Sequence, residues 1–348
     1  MIGDPNVVAT ASSDRDRPFA VGTFVLDDGA PFPGLVVGDD VLDLRPAFGD
    51  NATTATLLAD WDVSLERMAA LAADGSAATM PLATVRALSP VQPTGQVLCA
   101  GANYEQHTFE MTFVILRDEA ARDGRTVEDD DLRTQARSVI ESQREHGRPF
   151  MFLATAGALC GASDDVVLWG PGVQHDWELE LAVVIGRKAH WISPDEAMDV
   201  IAGYTISNDI STRDVMFRPN FGLSDFATSK NRPTFFPTGP YLVPRRFVPD
   251  YRDLRISLSV NGETMQDARA GDMMRSVESL VSYASELVEL LPGDLVLTGS
   301  PGGNAGIHGG RWLRPGDVVV SEITGLGRQE NHCVAEAPHH RQGRPIKK

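Results

Sequence analysis

Two glutamates that directly precede an apolar run constrain this chain more than any other feature. In WELEL, residues 177–181, apolar and acidic side chains alternate, as they do on a β-strand whose neighbouring side chains point to opposite faces. The next four residues, AVVI at 182–185, are all apolar, which is typical of a strand buried on both faces. The pattern therefore predicts that Glu178 and Glu180 point into the interior.

Two carboxylates buried side by side need a cation between them, because burial and mutual repulsion both oppose ionisation. Asp209 ends the next strand-like run, GYTISND at 203–209, and supplies a third carboxylate. Oxygen ligands of this kind suit a hard divalent cation, Mg²⁺ in the first place, with Mn²⁺ or Ca²⁺ as alternatives. The competing interpretation is a strand with one solvated face, which is the commoner origin of a Glu-x-Glu pattern.

Composition restricts the partners that the chain can have. Its 348 residues, 42% hydrophobic and 23% charged, are ordinary for a soluble globular protein of one or two domains. A formal net charge of −17 argues against nucleic acid and against an anionic membrane surface. Cys99, Cys160 and Cys333 have no metal-ligand spacing, and no signal peptide or membrane-spanning run is evident, so a cytoplasmic location is expected.

Breaker residues divide the chain into regions. The prolines and glycine of PVQPTG, residues 90–95, favour a boundary between a small, variable N-terminal domain at 1–92 and a larger domain at 93–337, with a basic tail at 338–348. Residues 111–148 are charged and predict two helices, one ending near Asp123 and one near His146. This insertion could be a mobile lid, a dimer contact or inert decoration.

Within these regions the patterns predict individual elements. Residues 19–44 predict a small antiparallel meander, and 55–73 have the apolar periodicity of one helix. A capping box at 193–196 predicts the start of a helix, and Asn261-Gly262 predicts a hairpin turn. Residues 276–291 predict an amphipathic helix.

Further polar residues could serve catalysis. His107 and Glu110 lie three residues apart, so on a helix the carboxylate could orient the imidazole and raise its basicity, as a general base acting on water requires. A surface pair is the commoner origin of such spacing. Arg213 follows Asp209 closely and could contact a carboxylate, and Lys230 precedes a proline-punctuated loop, where a surface lysine is the alternative.

Taken together, several segments make the chain resemble the fumarylacetoacetate hydrolase family. They occur in the family's order and cover roughly residues 95–335; they are GANYEQHTFE, DWELELAVVIGR, GYTISNDISTRD, SKNRPTFFPTGP, VNGETMQD, LPGDLVLTGSPGG and RPGDVVVSEITGLG. The resemblance implies a strand-rich α+β fold, a mixed β-roll around a metal site with a smaller N-terminal β/α domain. It also implies a homodimer.

The resemblance assigns roles to individual residues. The metal ligands it implies are Glu178, Glu180 and Asp209, and the catalytic residues are His107, Glu110 and Lys230. The substrate-binding residues it implies are Tyr104, Arg213 and Ser300. One departure is that family members often have a lysine in a Phe-Leu-Lys-Pro run, where this chain has Phe152-Leu-Ala154-Thr155.

These residues suit hydrolysis of a carbon–carbon bond in a β-diketo acid, an acylpyruvate or a 2,4-diketo sugar acid. In this hypothesis the metal stabilises the enolate that leaves, and His107 activates the attacking water. Decarboxylation, isomerisation or hydration of a related 2-keto or dienoic acid uses the same enolate chemistry and stays open. A protein that binds metal and a keto acid without turnover is the alternative from another class.

Overall fold

The computed structural model describes residues 17–27, 29–218 and 222–337, so the predicted tail at 338–348 lies outside the described residues. The helices are α1 Arg45–Phe48, α2 Thr54–Ala59, α3 Trp61–Asp74, α4 Glu105–Arg122, α5 Asp129–His146, α6 Pro194–Ala197, α7 Phe226–Lys230 and α8 Val277–Leu287. The strands are β1 Ala20–Val25, β2 Phe32–Val37, β3 Asp40–Asp43, β4 Met80–Pro81, β5 Arg86–Ala87, β6 Val97–Gly101, β7 Phe150–Ala154, β8 Leu159–Cys160, β9 Val166–Leu168, β10 His175–Asp176, β11 Leu179–Ile185, β12 Ile201–Asn208, β13 Ser211–Thr212, β14 Phe217–Arg218, β15 Leu223–Ser224, β16 Phe236–Pro244, β17 Arg255–Val260, β18 Glu263–Arg269, β19 Leu295–Leu297, β20 Val318–Ile323 and β21 Gly327–Ala335.

The larger sheet has its most buried strands at the centre. Its order is β4-β3-β2-β1-β16-β12-β11-β19-β6-β7, with β5 and β8 attached to β1 and β16. Every residue of β11, β12 and β16 is buried. The apolar run at 182–185 has this burial because β11 is hydrogen-bonded on both sides and covered on both faces.

A second sheet, in the order β18-β17-β20-β21-β9, packs against this centre. β21 contacts β12 and β16, and one buried side chain joins the two layers. The amide nitrogen of Gln329 donates to the carbonyl oxygens of Ile206, Pro237 and Gly239 at 3.0–3.2 Å. Both sheets are open, and the strand-rich α+β fold expected from the sequence is confirmed.

The N-terminal meander forms as predicted, with β1, β2 and β3 pairing in antiparallel order. It also extends the larger sheet, because Val21 of β1 pairs with Leu242 of β16. The division of the chain into domains at 1–92 and 93–337 stays a prediction.

Residues 55–73, predicted as one helix, form two. Asp60 has φ −131° and ψ 61°, which interrupts the helical backbone between α2 and α3. Thr53 caps the first of them, since its hydroxyl accepts from the amide of Thr56. The buried residues of α2 and α3 keep the spacing of a single helix across Asp60. Periodicity alone therefore could not reveal the break between the two helices. The helix predicted from the capping box at 193–196 is correct in position, but α6 lasts only four residues.

Helices α4 and α5 confirm the two helices predicted for 111–148, and they pack on each other through Phe113, Leu132 and Ala136. α4 starts at Glu105, earlier than the insertion itself, so it also carries His107. The described helices include none with the length and apolarity needed to cross a bilayer.

Replacing Gln329 with leucine tests the contact between the sheets. We expect Gln329→Leu to lower the free energy of unfolding by about 2 kcal/mol, because three buried carbonyl groups lose their donor. Chemical denaturation measures the change. Arg328→Leu is the control, since the neighbouring Arg328 is exposed and its ion pairs contribute little. Equal stability of the two variants would contradict the role assigned to Gln329.

Candidate metal centre and active site

Pairing of β11 with β12 brings the three predicted metal ligands together. Leu179 lies opposite Asn208, so Glu178, Glu180 and Asp209 meet at one end of the strand pair. The amide of Asp209 donates to the carbonyl of Glu178 at 2.8 Å, which fixes the two backbones. One carboxylate oxygen from each side chain lies within 4.8 Å of the others, and all three residues are buried.

Two cations, the buried Lys230 and the partly buried Arg213, contact this cluster from its sides. The ammonium of Lys230 donates to Glu178 at 2.8 Å and also to Asp209. The guanidinium of Arg213 donates to Glu178 and, at 2.8 Å, to Asp176. Burial alone would raise the pKa of Glu178, but the charges of Arg213 and Lys230 outweigh it and hold that pKa well below its usual value. Both predicted cations therefore lie at the centre.

Charge is not balanced by these residues alone. Among the described residues, Asp176, Glu178, Glu180 and Asp209 face two cations, Arg213 and Lys230, so two negative charges remain when every carboxyl group is ionised. Burial and the charges of its neighbours raise the pKa of Glu180 well above its usual value, and burial raises the pKa of Asp209 to about 6.

The donor set fits a divalent cation. Asp209 Oδ1 is buried and has no hydrogen-bond partner among the described residues, so one ligand oxygen is already free. A cation of charge +2 offsets the two excess negative charges, and carboxylate oxygens are the ligands that Mg²⁺, Mn²⁺ and Ca²⁺ prefer. Glu178, Glu180 and Asp209 would hold it.

His107 lies beside the carboxylates. Its Nε2 is 3.8 Å from Glu178 Oε1, and its Nδ1 is buried without a hydrogen-bond partner among the described residues. Glu110 accepts hydrogen bonds from Gln106 at 2.7 Å and from the amide of Gly303 at 2.9 Å. No direct hydrogen bond joins Glu110 to His107, although the charge of Glu110 raises the pKa of the imidazole. The orientation of His107 by Glu110 stays a prediction.

The remaining predicted residues lie close by. Tyr104 is buried at the start of α4, and its hydroxyl has no hydrogen-bond partner among the described residues. Burial and the charge of Glu180 raise the pKa of this phenol. Ser300 is buried too, and its hydroxyl accepts from Gln266 at 2.9 Å. The substrate contacts of Tyr104, Arg213 and Ser300 stay predictions.

Several residues that shape the site were missed in the sequence. Asp176 positions Arg213 by accepting a hydrogen bond from its guanidinium. The sequence could have indicated Asp176, since residues 176, 178 and 180 share one face of an extended chain. Gly299 donates its amide to Glu180 at 2.7 Å. Glycine is required there because its φ is 94° and because the Cβ of any other residue would lie 2.8 Å from the Cβ of Asn103.

Asn103 fixes the turn from β6 into α4. Its side chain donates to the carbonyls of Thr298 at 2.8 Å and Arg275 at 3.0 Å, and it accepts the amide of Arg275 at 2.8 Å. The first turn of α4, with His107, is thereby tied to the strand end that contacts Glu180. No local pattern indicates these contacts, because the partners lie far apart in the chain.

The family model for the fumarylacetoacetate (FAA) hydrolase C-terminal region matches residues 96–334. The chain belongs to the fumarylacetoacetate hydrolase family. The matched residues include the acidic triad, His107, Arg213 and Lys230, so the family assignment and the geometry concern the same part of the chain.

Relatives within the fumarylacetoacetate hydrolase family differ in reaction. The chain is 33% identical over 285 residues to 2,4-didehydro-3-deoxy-L-rhamnonate hydrolase of Sphingomonas sp. (strain SKA58), covering 80% of this chain and 87% of that protein. It is 33% identical to the mitochondrial oxaloacetate tautomerase FAHD2A of Homo sapiens, covering 73% and 71%. The crystal structure of maleylpyruvate hydrolase from Sphingobium sp. SYK-6, in complex with manganese(II) ion and pyruvate, has a TM-score of 0.68 at 25% identity and covers 91% of this chain and 100% of that one.

Removing one carboxylate tests the metal centre. We expect Asp209→Asn to weaken Mn²⁺ binding on the order of 100-fold, since a charged ligand is lost from a buried site. Isothermal titration calorimetry gives the dissociation constants. Asp214→Asn is the matched control, because Asp214 is an exposed carboxylate on the same segment. Wild-type affinity in Asp209→Asn would remove Asp209 from the ligands.

Proposed function

We propose that the protein is a divalent-metal-dependent hydrolase that cleaves a carbon–carbon bond in a 2,4-diketo acid of the acylpyruvate type. The products are a pyruvate-like 2-keto acid and a carboxylic acid. The observation that carries this proposal is the position of His107, a buried imidazole beside the acidic triad whose Nδ1 has no hydrogen-bond partner in the part of the chain that the structure describes. A hydrolase needs a base at this place to take a proton from the attacking water, and a tautomerase would use the same base to move a proton of the substrate.

Each residue has a part that follows from its contacts. A divalent cation held by Glu178, Glu180 and Asp209 would polarise the keto-acid oxygens and stabilise negative charge. Lys230, whose ammonium already lies between two of these carboxylates, can hold a developing oxyanion. Arg213 is fixed by Asp176 and Glu178, so it stabilises the cluster's negative charge.

His107 can act as the base because it is neutral. Burial lowers the pKa of its imidazole, and the charge of Glu178 opposes this only in part. A neutral imidazole can accept a proton from water, and the nearby charges of Glu178 and Glu110 stabilise the imidazolium that results.

The proposed reaction balances with water as the only co-reactant. Hydroxide adds to the carbonyl carbon C4 as His107 takes the proton. The bond between C3 and C4 then breaks, and its electron pair forms the enolate of the keto-acid fragment. The proton held by His107 then moves to C3, which leaves a carboxylic acid, a 2-keto acid and a neutral imidazole.

The relatives support this class of reaction. One is a hydrolase of a sugar-derived diketo acid, and another is a hydrolase whose crystal structure holds manganese and pyruvate. A second candidate is oxaloacetate tautomerisation, which the 33% identity to the human tautomerase favours. The proposed partner is a small keto acid in either case, and the homodimer and the cytoplasmic location stay predictions.

Product analysis separates the candidates. We expect an acylpyruvate to lose its enol absorbance with Mg²⁺ or Mn²⁺ present, and mass spectrometry to show pyruvate and a carboxylic acid in equal amounts. A chelator should abolish the reaction. Release of carbon dioxide would indicate decarboxylation, and conversion of enol-oxaloacetate without bond cleavage would indicate tautomerisation. Either result without pyruvate release contradicts the proposed hydrolysis.

Replacing His107 tests the base. We expect His107→Ala to lower kcat on the order of 10² to 10⁴-fold, the usual contribution of a general base, while the Mn²⁺ dissociation constant changes by less than about threefold. His332→Ala is the control, since His332 is an exposed histidine on β21. A His107→Ala enzyme with wild-type kcat would rule out His107 as the base.

A further inference from the structure

We propose that the acyl group of the substrate is an apolar, planar group, such as an aromatic ring, bound against an aromatic wall formed by Phe150, Phe152 and Phe226. This inference rests on the proposed function and names the substrate class within it. Neither a second carboxylate nor a hydroxylated chain fits that wall.

The aromatic wall runs from the buried centre to the surface. Lys230 Nζ lies 5.1 Å from the centroid of the Phe152 ring. Phe152 stacks on Phe226 with centroids 4.8 Å apart and planes at 23°, and Phe226 lies 5.7 Å from Phe150. Phe150 is 51% exposed, so the last ring borders solvent. The three rings therefore follow one another outward from the Lys230 ammonium.

Regular structure holds these rings in place. Phe226 and Lys230 are four residues apart on α7, so they share a face of that helix. Phe150 and Phe152 are two residues apart on β7, so they share a face of that strand, and Leu153, which follows Phe152, points the other way. The wall and the ammonium are thus parts of one surface formed where α7 packs on β7.

The charges at the centre argue against a second carboxylate on the acyl group. Arg213 and Lys230, the cations that the described residues place there, are both bound to carboxylates. Arg218, which reaches the start of α7, is paired with Asp225. Ala154, two residues after Phe152 on β7, is buried and uncharged, and it pairs with Val97.

Ring stacking instead favours a planar apolar group. An aromatic group packed against these rings gains stacking contacts beyond its area burial, whereas a carboxylate there loses hydration. Hydroxyl groups of a sugar chain would also lose hydrogen bonds to water at these rings. This chain therefore differs in its preferred acyl group from relatives that act on rhamnonate-derived or maleyl compounds.

Turnover gives the first measurement. We expect kcat/KM for benzoylpyruvate to exceed that for maleylpyruvate by at least about tenfold, the discrimination that an apolar pocket commonly achieves. The enzyme is the full chain loaded with Mn²⁺. Hydrolysis with the opposite preference would overturn the inference and leave the proposed function in place.

Binding gives a second measurement that needs no turnover. 2-Oxo-4-phenylbutanoate has the aromatic ring but no C4 carbonyl, and 2-oxoadipate has a distal carboxylate instead. Calorimetric titration should give a dissociation constant at least about tenfold lower for the phenyl compound. Tighter binding of the phenyl compound with no acylpyruvate hydrolysed would contradict the proposed function and support the wall. If 2-oxo-4-phenylbutanoate binds as weakly as 2-oxoadipate or more weakly, the inference that the acyl group binds at the aromatic wall is wrong.

Substitutions locate the preference. We expect Phe152→Leu to reduce the ratio of the two binding constants about tenfold, because stacking and ring area are both lost. Phe150→Arg, a change at an exposed position, should raise affinity for 2-oxoadipate severalfold. Leu153→Ala is the matched control, on the same strand but on its opposite, exposed side. If Leu153→Ala shifts the ratio as much as Phe152→Leu, the assignment of the wall fails.

Discussion

Repulsion among buried carboxylates is the constraint on which the rest of this structure depends. Asp176, Glu178, Glu180 and Asp209 are removed from water within one small volume, where like charges interact far more strongly than at a surface. Lys230 and Arg213 offset part of that charge, and a divalent cation suits the remainder. The site therefore combines a cost for folding with a strong affinity for positive charge, which is the property that the proposed reaction needs.

The architecture concentrates this charge at the end of the most buried strands. Glu178 and Glu180 precede or begin β11, Asp209 follows β12, and Gly299 follows β19, all neighbours in one sheet. Strand ends are suited to such a site because the backbone hydrogen bonds of the sheet fix the side chains without help from the site itself. His107 approaches from a different element, α4, and is held there by the contacts of Asn103.

Functional differences within the family belong to the surroundings of this centre. The relatives include hydrolases and a tautomerase, and the acidic triad with its two cations is compatible with either reaction. The residues next to Lys230 are aromatic rings, and we propose that they select the acyl group of the substrate. Glu110 is bound by Gln106 and Gly303 and has no direct hydrogen bond to His107. These two residues therefore fix the position of the carboxylate charge near the imidazole.

By itself the sequence determined which strand is buried and which side of it is acidic, because alternation and apolar runs are local properties of a chain. It also predicted α4, α5 and the turn at Asn261-Gly262 from local signals. Only the tertiary structure decided that Lys230 lies within hydrogen-bond distance of Glu178, which is 52 residues away, and that Asp176 binds Arg213. Such contacts depend on the order of strands in the sheet and on how α7 packs against it. Local periodicity in the sequence does not predict that order.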